Sequence, residues 1–181
     1  MKKIFIFTII LYLGGMIMSN ALDKAVAFMA ISPTLKNNDT LPQEQVYNGF
    51  GCKGGNKAPE ISWINPPINA KSFAIICHDP DAPRPTGWYH WLLVNIPSDV
   101  NSYKGKIPQG ALETVTDFNT AGYGGACPPI GHGKHRYNFT VYALDVDKID
   151  VSKDTKPTEV EKIVQSHAVA KSTITALFER K

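Results

Sequence analysis

From Ala27 to Leu144 the chain never sustains an apolar rhythm of helical period. It offers instead short runs rich in β-branched and aromatic residues, each stopped by a cluster of Pro, Gly or Asn: Ala27–Ile31, Glu60–Ile64, Lys71–His78, Tyr89–Ile96, Glu113–Phe118 and Arg136–Leu144. Runs of this length between turn residues predict β-strands, and with no crossover helices between them a parallel βαβ sheet is disfavoured. The expected fold is mainly β, a sandwich of antiparallel or mixed sheets.

The character changes near the C-terminus. Thr158-Glu-Val-Glu161 reads as a capping box, followed by Val160, Ile163 and Val164 at helical spacing, so a helix is expected to start there. A second apolar series, Ala170, Ile174, Leu177 and Phe178, predicts another helix ending at Arg180-Lys181. His167 falls between the two, a place for capping or packing.

The first residues have the outline of a leader: Lys2-Lys3, an apolar run from Ile4 to Leu13, and small residues at Ser19 and Ala21. That run is shorter than the roughly 20 residues a spanning helix needs. A signal peptide over residues 1–21 and one domain over 22–181 are therefore expected, with the product periplasmic or secreted. Loss of Lys2 and Lys3, with no acid in that stretch, lowers the formal charge from +3 to +1. A nearly neutral chain without a basic, aromatic-laced stripe excludes nucleic acid as a partner and leaves membrane contact at most peripheral.

An oxidising destination makes the three cysteines informative. Cys77 lies within the apolar run Phe73–Cys77, where a buried thiol is the ordinary outcome, whereas Cys52 and Cys127 lie in Gly-rich loops. A Cys52–Cys127 disulfide is expected.

Two distant segments carry the chemistry. Strand alternation puts Phe73, Ile75, Cys77 and Asp79 on one face, and His135, Tyr137, Phe139, Val141 and Ala143 on one face, so each apolar row ends in a polar group. Pro80 and Pro83 stiffen the turn that carries Asp79 and Asp81. Arg136, one residue out of phase with His135, suits an ion pair with one of these acids. His90, between Tyr89 and Trp91, stands either as a core histidine or, beside a second His and a fixed Asp, as part of a donor set for an anion. The Pro128-Pro129 turn with Gly131 and Gly133 brings backbone N–H groups where an anion can approach closely.

These residues resemble the phosphatidylethanolamine-binding protein family, also called the Raf kinase inhibitor protein family, in its bacterial branch. The resemblance rests on Tyr47-Asn-Gly-Phe-Gly51, Ala58-Pro-Glu-Ile-Ser-Trp63, Asp79-Pro-Asp-Ala-Pro83, Gly87-Trp-Tyr-His-Trp91 with Asn95, Gly122-Tyr-Gly-Gly125, Pro128-Pro129 and His135-Arg-Tyr137. It covers nearly all of the chain after the leader. It implies a β-sandwich with an anion pocket at one edge for phosphate-like head groups. Asp79, Asp81, Pro83, His90, Pro129, His135 and Tyr137 match the lining residues, and the chain differs from eukaryotic members in its short segment between Pro83 and Trp88.

The function expected is binding of a small anion, a phosphate-type head group such as phosphoethanolamine or a carboxylate, with no cofactor and no catalysis. Two alternatives stay open. An exported member of an inhibitor-containing family could restrain a partner kinase or protease. A hydrolase lacks its nucleophile here: no Gly-x-Ser-x-Gly elbow occurs, and Cys77 shares a face with a carboxylate that would hold its thiol protonated. A metal is disfavoured because His132 and His135, read as strand residues, point to opposite faces and lack zinc-site spacing.

Overall fold

The structure, a computed structural model, describes residues 26–181. The expected signal peptide lies outside the described residues. In chain order the elements are β1 (Met29–Ile31), β2 (Asp39–Thr40), β3 (Asn48–Gly49), β4 (Cys52–Lys53), β5 (Ile61–Ile64), β6 (Ser72–Asp79), β7 (Trp88–Pro97), β8 (Ser102–Tyr103), β9 (Leu112–Glu113), β10 (His135–Leu144), α1 (Pro157–His167) and β11 (Ala168–Phe178). A six-stranded sheet runs β2-β11-β10-β6-β7-β9, a three-stranded sheet runs β1-β5-β8, and β3 pairs with β4 as a hairpin. Only β2 against β11 is parallel among the named pairs, so the fold is the mainly antiparallel, mixed sandwich that the strand pattern predicts.

Alternation along β6 and β10 divides the interior in two. Phe73, Ile75, Cys77, Phe139 and Val141 face the small sheet, packing in the same cluster as Ile61, Trp63 and Tyr103. Ala74, Ile76, Tyr142 and Leu144 face the other way, onto Val160 and Val164 of α1. Both faces of the central strands are dry, which is why β6 and β7 read as nearly continuous apolar runs.

Two irregularities interrupt the pairing of β6 with β7. The register passes from Cys77↔Trp91 to His78↔Tyr89, so His90 is an extra residue on the β7 side. Tyr89 consequently packs on the helix face and Trp91 in the sandwich core, although simple alternation would put them together. A second irregularity lies between Phe73 and Ile75, opposite Asn95, whose φ is +57°. Its side chain bonds both backbone groups of Ile149, fixing the approach to α1.

The C-terminus departs from expectation. Ala168–Phe178 is a strand, not a second helix, and pairs with β10 along its whole length. Its apolar residues also satisfy period two, placing Ile174 and Ala176 inward, and Val169, Thr173, Ile174 and Thr175 are β-branched. With an open edge of β10 available, pairing prevails over an ambiguous rhythm. The expected capping box does not form either. Pro157 takes the first helical position, Lys156 stands at the N-cap without a side-chain bond, and Glu161 accepts instead from the Tyr89 hydroxyl. His167 ends α1 beside Asp145, at 3.1 Å.

The expected strand Glu113–Phe118 is likewise cut short at Glu113. Thr116 bonds the Thr120 carbonyl and receives the Phe118 N–H, and Asn119 adopts φ +59°. Local side-chain bonds replace the ladder there. The Cys52–Cys127 disulfide is present, with Cα atoms 6.0 Å apart, and Cys77 is free and buried.

Candidate functional site

The site forms where β6, β7 and β10 terminate together. Asp79 is the last residue of β6 and His135 the first of β10, so their antiparallel pairing brings the two polar ends of apolar rows side by side. Asp79 is 3% exposed and His135 2%. The Asp79 carboxylate accepts from His135 Nδ1 at 2.7 Å and from the Asp81 backbone N–H at 2.8 Å. Both carboxylate oxygens are thus engaged, as a buried acid requires. Gly87 closes the turn back into β7 at φ +66°, where a Cβ would lie 2.4 Å from the Asp79 carbonyl oxygen.

Asp81 points elsewhere. It accepts from the Arg136 backbone N–H at 2.8 Å, from Nε at 2.9 Å and from Nη2 at 2.7 Å. The Arg136 side-chain hydrogen bonds hold the Asp81 carboxyl down to about 2. Its role is to lock the Asp-Pro-Asp turn onto the start of β10, and it does not line the cavity.

His90, the extra residue of the bulge, is 4% exposed and turned into the same space. Its Nδ1 lies 2.7 Å from the Gly124 carbonyl, and the loop is fixed in turn by the Gly124 N–H, which donates to the His90 carbonyl at 2.8 Å. Burial pushes the imidazole down to about 4, against the opposing pull of the Gly124 carbonyl and Asp79. Burial thus favours the neutral imidazole of His90 in the free protein. Tyr137 meets it edge-on, ring centres 5.1 Å apart, and Phe118 does the same at 5.4 Å.

These groups floor a cavity of about 200 Å³. Of the expected site residues, Asp79, Pro83, His90, Pro129, His135 and Tyr137 line it together, whereas Asp81 and Gly131 do not. The Gly131 N–H is taken by the Arg180 carbonyl at 3.2 Å, so the loop that carries it closes on the C-terminal segment rather than on the cavity. His132 precedes β10 in a turn, not a strand, and its Nδ1 approaches His135 Nε2 at 3.3 Å. Among the described residues no group of three or more His, Cys, Asp or Glu side chains is arranged to hold a metal ion.

The walls are largely apolar, and four of their residues are not among the lining residues expected from the sequence: Phe50 and Trp88, which fall inside the motifs Tyr47–Gly51 and Gly87–Trp91, and Arg84 and Phe118. Trp88 precedes His90 by two positions and carries a usable signal. Phe50 and Phe118 come from a hairpin tip and a loop, where alternation says nothing. Their rings stack at 6.1 Å, and Tyr47 packs against both. Arg84 lies 4.9 Å over the Trp88 ring and bonds Asp117 at 3.2 Å. The disulfide and Arg180, which donates to the Phe50 carbonyl at 3.3 Å and that of Pro128 at 3.4 Å, hold the remaining wall.

The polar atoms of the lining side chains are unequal. Tyr137 Oη and Trp88 Nε1 are buried and have no hydrogen-bond partner. Burial, and then the nearby Asp79 charge, push the Tyr137 hydroxyl far up, so it remains a donor. A buried donor without an acceptor costs about 1–3 kcal/mol. Both atoms have no surface open to a water-sized group, so they lie behind the cavity wall rather than in it. Cys77, beneath the floor, offers no nucleophile: burial and then Asp79 push its thiol up.

Comparison with known proteins is consistent across the chain. Residues 31–179 match the phosphatidylethanolamine-binding protein family. UPF0098 protein YbhB of Escherichia coli K12 is 43% identical over 155 residues, covering 82% of this chain and 98% of that protein. UPF0098 protein YbcL of the same organism is 40% identical over 166 residues, covering 87% and 91%. The crystal structure of E. coli YbcL, described as a new member of the mammalian PEBP family, superposes with a TM-score of 0.84 at 38% identity, covering 86% of this chain and all of that one. A PEBP homologue, CT736, from Chlamydia trachomatis gives 0.73 at 27% identity, covering 86% and 99%.

Proposed function

Because this chain belongs to the phosphatidylethanolamine-binding protein family, bacterial branch, we propose that it is an exported binding protein that takes a phosphate-type head group, or a carboxylate, into the cavity between Asp79, His90, His135 and Tyr137. The observation that carries the reading is the convergence of Asp79, His90 and His135, from the ends of three strands, on one largely apolar cavity. The apolar walls strengthen hydrogen bonds made to a ligand in this space by excluding water. Arg84, at the lip, supplies a positive charge that is only partly committed to Asp117.

Export is inferred from the leader-like first residues and agrees with an oxidised Cys52–Cys127 pair. No catalytic step belongs to this reading. A second reading, restraint of a partner kinase or protease, has one feature in its favour: Phe50 at the mouth is 69% exposed and held at φ +52°, a strained position for an aromatic residue.

Isothermal titration with phosphoethanolamine tests the first reading. Wild type is expected to bind, and Arg84→Ala and His135→Ala to bind at least tenfold more weakly. Equal affinity in all three proteins would assign the cavity to the wrong residues, and release of inorganic phosphate would place the protein among enzymes.

A further inference from the structure

The hydrogen bonds on the cavity floor fix where its protons are. A carbonyl oxygen only accepts, so at 2.7 Å from Gly124 O the Nδ1 atom of His90 must carry the hydrogen. In a neutral imidazole the other nitrogen, Nε2, is then a lone-pair acceptor, and it is the nitrogen left for the cavity that His90 lines. We propose that the cavity is selective for an anion that still carries a proton, a singly protonated phosphate monoester, whose O–H donates to His90 Nε2 while Arg84, lining the same cavity, supplies positive charge to its other oxygens. This rests on the anion-site reading above and makes His90 the residue that discriminates among anions.

The competing arrangement is an imidazolium, donating from both nitrogens. With burial holding His90 at about 4, charging it at pH 7 requires about a thousandfold from the ligand. The surrounding groups divide. From β6, Asp79 favours that charge and His78 opposes it. From β10, His135 is engaged with Asp79, and Tyr137 offers a neutral hydroxyl. From the turn before β7, Arg84 lines the same space as a cation, while Asp117, beyond it, is engaged by Arg84 and by the Tyr89 N–H. The buried Asp79 carboxylate also disfavours a dianion beside it. Sulfate and phosphodiesters have no proton to give at neutral pH, so a lone pair on Nε2 opposes their oxygens.

The test is isothermal titration of wild type with methyl phosphate, dimethyl phosphate and sulfate at pH 5.5 and 7.5. The diester stands for a lipid phosphate and the monoester for a free one. Methyl phosphate is expected to bind at least tenfold more tightly than the other two at pH 5.5. That advantage should fall by about tenfold or more at pH 7.5, because the monoester loses its last proton near pH 6. In His90→Phe, which removes the acceptor, the preference should disappear at both pH values. Comparable, measurable affinities for all three ligands in wild type would overturn the inference while leaving the anion site standing, as would an advantage that does not change with pH. No binding of any of them would overturn both.

Discussion

His135 Nδ1 lies 2.7 Å from the Asp79 carboxylate, 56 positions away in sequence, and both side chains are almost fully buried. The pair joins the end of β6 to the start of β10 and sets the floor of the cavity. Removing one member of a buried pair leaves the other without its partner, a loss of about 3–5 kcal/mol. Asp79→Ala is expected to lower the unfolding free energy by about that amount in urea denaturation. A loss below about 1 kcal/mol would mean that the pair is not what holds these strand ends together.

Tyr137 makes the opposite prediction for stability. Its hydroxyl is buried without a partner, so Tyr137→Phe removes an unsatisfied group and is expected to leave the free protein equally stable or up to about 1 kcal/mol more stable. Thermal melts of the free proteins measure this, and a destabilised variant would show that the hydroxyl already has a partner.

The Asp81–Arg136 contact gives a pH dependence whose sign is fixed. The Asp81 carboxyl titrates lower in the folded protein, at about 2, than its unfolded value of about 3.9. The stability it contributes is therefore present above pH 4 and lost as pH falls toward 2. The pair is partly exposed, so the amount is about 0.5–1 kcal/mol. Urea melts of wild type and Asp81→Asn should differ by that much at pH 6 and converge between pH 4 and 2; a gap that widens on acidification contradicts the assignment.

Strand rows and the polar ends of β6 and β10 are legible in the sequence because alternation is a local property: Phe73 to Asp79 and His135 to Ala143 keep period two without interruption. His90 is legible as a residue but not as a geometry. Its aim depends on a bulge, and its neutral state depends on a carbonyl, Gly124, that only the folded chain brings near. Gly131 escapes sequence reasoning for a related reason: its N–H is satisfied by Arg180, at the far end of a C-terminal segment whose rhythm also suits a helix. The Ala170 to Phe178 pattern fits both periods, and only the open edge of β10 decides between them.

The disulfide makes a chemical prediction. Thiol titration of denatured, unreduced protein should find one free thiol, Cys77, and none in the native state, where the thiol is buried. Three thiols would exclude the bridge. Reduction of a link spanning 75 residues should cost about 4 kcal/mol of stability and loosen the wall that carries Phe50 and Pro128.

The most direct test of the account is a crystal structure of the protein saturated with phosphoethanolamine. The phosphate is predicted in the cavity, with one oxygen facing His90 Nε2 and none bonded to the Gly131 N–H. A phosphate bound elsewhere on the molecule, or a cavity left empty at saturating ligand, would contradict it.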